Sequence, residues 1–247
     1  MNSYKNDEDA GPLHEREVSS MNQPNEVPTL DGSFPRRGIG NPAFTEEYAN
    51  DTLRTLFERR TIRRYTDEPV DPHDLDVIVD AGLRAANAGG CQAPIMLVSQ
   101  NREVNQRLGR ISNDLYDEGY YPVSAAQPST ACEVGITNAF YDAPMVITVF
   151  TPTGWSYAPL DAAVCAANMM NAAWSLGLGS CFVSRAARTF ATPYGKEIRG
   201  RAGIPDDYEP QLHVVLGHPE STESDGKPLY PNRVASVSYT HLRAHET

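Results

Sequence analysis

Residues 59–65 read Arg-Arg-Thr-Ile-Arg-Arg-Tyr, and together with Arg54 they place five arginines within eleven residues. The chain of 247 residues has a formal net charge of −11 at pH 7, so the cluster is a basic island in an acidic protein. Guanidinium groups bind phosphate oxygens in pairs and stay charged at physiological pH, so arginines beside the Thr61 hydroxyl suit a phosphate monoester. The alternative is a solvated basic run at the C-terminus of an amphipathic helix.

The sequence around this cluster predicts alternating helices and strands. Thr45 with two glutamates is a plausible helix start, and apolar residues at 49, 53, 56 and 57 predict a helix that packs on the core and ends at the arginines. Asp71 followed by Pro72 predicts the N-terminus of a second helix. Further helices are expected over 103–115 and 161–176, and strands over 95–98, 145–150 and 213–217.

The predicted helix 161–176 is apolar or alanine on nearly every face, apart from one stripe formed by Asn168, Asn171 and Ser175. A helix of this kind is enclosed by protein, so it is either the central helix of the domain or a dimer-interface helix. Because buried polar side chains nearly always have partners, core hydrogen bonds are favoured over cofactor contacts for the two asparagines.

Composition excludes several classes of protein. The chain has neither an apolar run of about 18 residues nor a secretory signal, which predicts a cytoplasmic protein with no membrane span. The four cysteines, at 91, 132, 165 and 181, are widely spaced and lack histidines at zinc spacing, so neither a disulfide framework nor a metal site is expected. The acidic balance argues against nucleic acid as a partner.

Five motifs resemble, in the same order, those of the nitroreductase-like FMN-dependent oxidoreductases. Residues 59–65 resemble Arg-Arg-Ser-x-Arg-x-Tyr/Phe, and residues 86–94 resemble Pro-Ser-x-x-Asn-x-Gln-Pro-Trp. Asp142-Ala143-Pro144 resembles the Asn/Asp-Ala-Pro that precedes a core strand. Residues 161–181 resemble the family's central helix with its glycine-rich exit, and residues 214–219 resemble its last core strand. The resemblance spans about residues 45–235.

The resemblance implies an α+β fold with a central, mostly antiparallel sheet flanked by helices, in a homodimer with two FMN sites at the subunit interface. It implies that the FMN phosphate and ring edge are bound by Arg59, Arg60, Thr61, Arg63 and Arg233, and that Asn87 and Gln92 of the second motif contact the flavin. Phe182, Val183 and Ser184 would lie against the flavin edge, with the Ser184 backbone N–H near N5. No catalytic side chain is expected, because the flavin carries the chemistry.

Two segments depart from the family pattern. Asn87 stands where serine is usual and Gly90 where asparagine is usual, so this segment either contacts the flavin or is only a turn. Arg185 stands where a small residue is common. Its guanidinium would favour the reduced, anionic flavin if it lies near the ring, and otherwise it is a surface arginine at a strand end.

The expected activity is reduction of a small planar electron acceptor, such as a nitroaromatic, a quinone or an activated alkene, by NADH or NADPH through FMN. Since the sequence has no credible dinucleotide-binding motif, the nicotinamide and the acceptor would use one site in turn, with ping-pong kinetics. The alternatives are a reductive dehalogenase-type or flavin-processing member of the same fold, a flavin-binding protein without turnover, and an unliganded interaction module. The irregular stretch 115–140, with Tyr116, Tyr120 and Tyr121, is either a lid or a surface excursion.

Three regions are expected along the chain. Residues 1–44 are rich in proline and lack apolar periodicity, which predicts a disordered or partner-wrapping extension. Residues 45–236 form the flavin-binding domain. Residues 237–247 resemble a translated sequencing-adapter tail and are expected to be a non-native addition.

Overall fold

The computed structural model describes residues 49–117 and 137–222. The expected N-terminal extension, the C-terminal tail, Arg233, Tyr120 and Tyr121 lie outside the described residues, as does the side chain of Tyr116.

A four-stranded sheet forms the centre of the described part of the chain. Its strands are β1 (Ile95–Ser99), β2 (Met145–Pro152), β3 (Gly179–Val183) and β4 (Tyr208–Gly217), arranged in the order β1-β2-β4-β3. Every pair of neighbouring strands is antiparallel, which confirms the expected α+β fold with a mostly antiparallel sheet. The central strand β2 is buried along all of its length except Pro152, because helices cover both faces of the sheet.

Six α-helices of the described residues flank this sheet: α1 (Asp51–Glu58), α2 (Pro72–Leu83), α3 (Arg102–Asp117), α4 (Ala158–Ser175), α5 (Ala186–Ala191) and α6 (Pro193–Arg201). The predicted start of α2 is confirmed, since the Asp71 carboxylate accepts a hydrogen bond from the His73 N–H at 2.7 Å. The predicted start of α1 at Thr45 is wrong. Asn50 has an extended backbone and caps the helix, its Oδ1 accepting from the Leu53 N–H at 3.0 Å.

Alternate residues of the central strands face two separate cores. Met145 and Ile147 point to the face covered by α2 and α4, where they pack with Ile78 and Met169. Val146 points to the opposite face, with side chains of α3, α5 and α6. This alternation follows from the two-residue period of a β-strand, and it places α4 against one face of the sheet.

Two helices bury less than the sequence predicts. No residue of α1 is buried, and its Leu56 and Phe57 are 52% and 48% exposed, so the expectation that the α1 stripe packs on the core is wrong. In α4 the inward face is buried, whereas Leu160 on the outward face is 65% exposed and Val164 is 39% exposed. The helix α4 therefore has a core-facing side and an uncovered apolar side.

Candidate functional site

The arginine segment 59–65 runs beside the outer edge of β3. The Ile62 N–H donates to the Ser180 carbonyl at 2.9 Å, and Thr61 forms a parallel bridge with Ser180. Gly179 permits this approach, because a Cβ at that position would lie 2.8 Å from the Ile62 Cβ. Tyr65 anchors the other end of the segment, where its hydroxyl donates to the Ile62 carbonyl at 2.5 Å.

Arg59 and Arg60 differ in what their guanidinium groups do. Arg59 is half-buried and its Nη1 has no hydrogen-bond partner among the described residues. The Arg60 Nη1, in contrast, donates to the carbonyls of Phe57, Glu58 and Arg59 at 2.9–3.0 Å and so caps the C-terminus of α1. Of these two arginines, Arg59 has the donor that is left for an anionic ligand.

The pKa of the Cys181 thiol in β3 is affected by the arginine segment. Burial raises the pKa of the thiol above its ordinary value, and the guanidinium groups of Arg63 and Arg59 act in the opposite direction, Arg63 also through a hydrogen bond. Both positive charges therefore lie close to the same buried sulfur atom. Thr61 and Arg63 are exposed to solvent beside it.

The end of β3 presents the residues expected at the flavin edge. Phe182 and Ser184 are exposed and Val183 is buried, as alternation along a strand requires. Arg185 is half-buried. The pKa of His213 is lowered to about 3, mainly because the histidine is buried and secondly because of the charge of Arg185. The Arg185 guanidinium is thus close enough to the core to influence a fully buried histidine.

Residues 86–92, called here the 86–92 turn, fold around Asn87. The Asn87 Oδ1 accepts from the Gln92 N–H at 2.8 Å, and its Nδ2 donates to the Ala85 carbonyl at 3.2 Å. These bonds hold Gln92 at a φ of +49°, an unusual value for a residue other than glycine. A cavity of about 240 Å³ borders the turn, lined by Leu83, Ala85, Asn87, Gln92, Pro94 and Cys165.

The buried carboxylate of Asp161 ties the 86–92 turn to the first turn of α4. Its Oδ1 accepts from the Ala88 N–H at 3.0 Å and its Oδ2 accepts from the Trp155 indole N–H at 2.8 Å. Sequence reasoning missed this role, because Asp161 and Ala88 are 73 residues apart and the sequence marks Asp161 only as a helix start.

The arginine segment and the 86–92 turn lie at opposite ends of α4. The turn contacts Asp161 near the N-terminus of the helix, whereas the arginine segment pairs with Ser180, five residues beyond the helix C-terminus at Ser175. The 15 residues from Asp161 to Ser175 span about 21 Å of helix. The chain therefore brings the arginines together with residues 180–185, but not with Asn87 and Gln92.

Two members of the polar stripe of α4 hydrogen-bond to backbone carbonyls, at exposed positions rather than in the core. The Asn168 Nδ2 donates to the Ala81 carbonyl of α2 at 3.0 Å, and the Ser175 hydroxyl donates to the Ala172 carbonyl at 2.8 Å. Within the described ranges, no group of three histidine, cysteine or acidic side chains is arranged to hold a metal ion. Nor does any helix in these ranges have the length and apolar character needed to cross a membrane.

The model of the nitroreductase family matches residues 56–218. The chain is 27% identical over 186 residues to the "NADPH-flavin oxidoreductase" of Vibrio harveyi, covering 75% of this chain and 72% of that protein. It is 25% identical over 201 residues to the "FMN reductase (NADPH)" of Bacillus subtilis, covering 78% and 75% of the two chains.

The chain is also similar in fold to solved structures of nitroreductases. A nitroreductase with bound FMN from Desulfitobacterium hafniense superposes with a TM-score of 0.66 at 26% identity, covering 77% of this chain and all of that one. A nitroreductase with bound FMN from Bacteroides fragilis, at 22% identity and a TM-score of 0.64 over 77% of this chain and all of the other, shares the fold.

Proposed function

Since the chain belongs to the nitroreductase family, whose model matches residues 56–218, we propose that it is an FMN-dependent NAD(P)H oxidoreductase that reduces small planar acceptors. Nitroaromatics, quinones and activated alkenes are the acceptor classes proposed. The relatives named as flavin or FMN reductases favour free flavin as a second candidate, which is also planar.

The buried Arg59 Nη1 carries the proposal for the cofactor. A buried charged donor is costly without an acceptor, and since the described residues provide none, the phosphate of FMN would supply it. Arg63 and the Thr61 hydroxyl lie exposed in the same segment, where they would bind the phosphate and the ring edge. An acidic protein that concentrates arginines at this one edge of its sheet fits a phosphate monoester.

The chain would anchor and orient the flavin, and bound FMN would supply hydride transfer. The exposed Phe182 ring and the backbone at Val183 and Ser184 would lie along the flavin edge, with the Ser184 N–H directed to the position of N5. Arg185, being half-buried next to this position, would favour negative charge on the flavin.

We further propose a homodimer in which each flavin contacts both subunits. Asn87 and Gln92 lie at the opposite end of α4 from the arginine segment. The flavin bound by the arginines of one subunit would therefore meet the 86–92 turn of the other subunit. The uncovered apolar side of α4, with Leu160 and Val164, provides a surface for that copy. The exposed Leu56 and Phe57 of α1 are further apolar side chains that a second copy could cover.

Mixed dimers test whether the site is shared. Arg59→Ala and Gln92→Ala homodimers should each bind FMN weakly, because every site lacks one contribution. A dimer with one subunit of each kind has one site with both contributions intact, so mixing the two proteins should restore tight FMN binding in part. Restoration to no more than the average of the two variants would contradict the shared site.

The function itself is tested by the absorbance spectrum of the purified protein and by identification of the released cofactor. We expect flavin bands, release of FMN, and bleaching by NADH or NADPH under anaerobic conditions. A colourless protein that takes up no added FMN would sink the proposal. A bound flavin that neither nicotinamide bleaches would instead indicate a flavin-binding protein without turnover. The cytoplasmic location and the extents of the terminal regions remain predictions.

A further inference from the structure

Residues 138–142, called here the 138–142 turn, contain two consecutive residues in a left-handed backbone conformation. Tyr141 has a φ of +56° and Asp142 a φ of +53°. Residues other than glycine adopt this conformation at a cost, and it persists where the surrounding structure demands it. Within the described residues, Gln92 is the other non-glycine residue with a positive φ.

Asn138 holds the turn in this shape. Its buried side chain accepts from the Phe140 N–H at 2.8 Å and donates to the Asp142 carboxylate at 3.0 Å, and its carbonyl accepts from the Tyr141 N–H at 3.0 Å. Gly109 of α3 makes room for it, because a Cβ at residue 109 would lie 1.7 Å from the Asn138 Oδ1. Both the hydrogen bonds and the glycine therefore serve a backbone conformation that would otherwise be unfavourable.

The conformation of the 138–142 turn determines where the Tyr141 ring lies. The Arg63 guanidinium carbon lies over that ring, 5.7 Å from its centroid, within the range of a cation–π contact. Arg63 also acts on the buried Cys181 thiol, where its charge and a hydrogen bond oppose the increase in pKa that burial causes. Tyr65 belongs to the same cluster: burial raises its pKa, and the charge of Arg63 acts against that increase.

We infer that the 138–142 turn is a positioning element of the cofactor site, in which Tyr141 holds the Arg63 guanidinium in the orientation that binds the flavin nucleotide. This inference rests on the proposed function. An arginine side chain exposed to solvent loses rotamer freedom when it binds a ligand, and a prior contact with Tyr141 reduces that loss. A ring, unlike a carboxylate, orients a guanidinium without neutralising its charge.

The test is a double-mutant cycle on FMN affinity, measured by titration of flavin-stripped protein with FMN. In the presence of Arg63, Tyr141→Leu should weaken binding about two- to fivefold, the effect of a partly exposed cation–π contact. Tyr141→Phe keeps the ring and should restore binding. In an Arg63→Ala background, Tyr141→Leu should cause no further loss, because its effect passes through Arg63. Equal losses in both backgrounds, or no loss in either, would overturn the inference.

Tyr194 of α6 offers a matched control, since the guanidinium carbon of Arg107 of α3 lies 3.8 Å from the centroid of its ring. Tyr194→Leu should leave FMN affinity unchanged, and a loss equal to that of Tyr141→Leu would overturn the inference. Should Tyr141→Leu fail to fold, 4-cyanophenylalanine at residue 141 keeps the ring but withdraws its electron density, and it should weaken FMN binding relative to phenylalanine. Equal affinities for these two residues would contradict a cation–π role.

Failure of the inference can be told apart from failure of the proposed function. If Arg63→Ala weakens FMN binding but Tyr141 acts independently of it, the cofactor assignment stands and the positioning role falls. If Arg63→Ala has no effect on FMN affinity, both the role of Arg63 and the role of Tyr141 fall. If the unaltered protein binds no FMN, the proposed function falls with them.

Discussion

Arg59 and Arg63 both act on the buried Cys181 thiol, although four positions separate them along the chain. Each charge-assisted hydrogen bond to a phosphate is worth roughly 1.5–3 kcal/mol, so Arg59→Ala and Arg63→Ala should each weaken FMN affinity about tenfold or more. Fluorescence titration with FMN measures this. Arg84→Ala is the control, because Arg84 is an exposed arginine just after the C-terminus of α2 and is paired with Asp80. Unchanged affinity in both variants would remove the arginine segment from the site.

His213 should make the stability of the fold depend on pH. Its ring is fully buried in β4, its Nδ1 lies 2.9 Å from the Thr148 hydroxyl, and burial together with the charge of Arg185 lowers its pKa from 6.5 to about 3. Between these two values the unfolded chain binds a proton that the folded protein does not. The free energy of unfolding should therefore fall by about 1.4 kcal/mol for each pH unit of acidification from pH 6.5 towards pH 3.

Replacing His213 by asparagine isolates this contribution. The asparagine keeps a hydrogen-bonding group near Thr148 but does not titrate, so the variant should lose stability less steeply between pH 6.5 and about 4.5, by about 1.4 kcal/mol per unit. Urea denaturation at a series of pH values gives both slopes. Parallel pH profiles for the two proteins would show that His213 does not carry the effect.

The helix α4 combines a core face with an uncovered apolar face, and Val164 lies on the latter. Glutamate is a good helix former and is tolerated at an exposed helix position, so Val164→Glu should fold. It should nevertheless dissociate the proposed dimer, because a charge would be buried without a partner, and FMN affinity should fall with it. Light scattering and FMN titration measure both consequences.

Val98 of β1 provides the matched control for this substitution, since its exposure of 38% is nearly that of Val164 at 39%. Val98→Glu should leave the mass and the FMN affinity unchanged. A Val164→Glu protein that stays dimeric would exclude the outer side of α4 as the subunit interface.

At the scale of the whole molecule, the proposed function requires two substrates to use one face of one cofactor. The sequence has one segment suited to a phosphate anchor and no credible dinucleotide-binding motif, so NAD(P)H and acceptor should alternate at a shared site. Alternation gives ping-pong kinetics, and double-reciprocal plots at several acceptor concentrations should be parallel. Intersecting lines, with a ternary complex detected by equilibrium binding, would require a second nucleotide pocket.

The sequence by itself determined the features that depend on neighbouring residues. Short stretches of sequence predict the Asp71-Pro72 cap of α2 and the apolar strands β1, β2 and β4. A short stretch likewise marks the arginine segment as suited to a phosphate. The order of the motifs identified the family, and with it the α+β fold. These signals are local because helix caps and strand alternation are set by short-range geometry and by the period of one element.

The tertiary structure alone decided which of those residues meet. It engages Arg60 in capping α1, ties Ala88 to an aspartate 73 residues away, and leaves Leu160 of an almost wholly apolar helix exposed. It also places the Tyr141 ring against the Arg63 guanidinium. The left-handed conformation of Tyr141 could not be predicted, because the residue is not a glycine. Such relations join elements distant in the chain, and the period of a single helix or strand cannot say which of its apolar faces another element will cover.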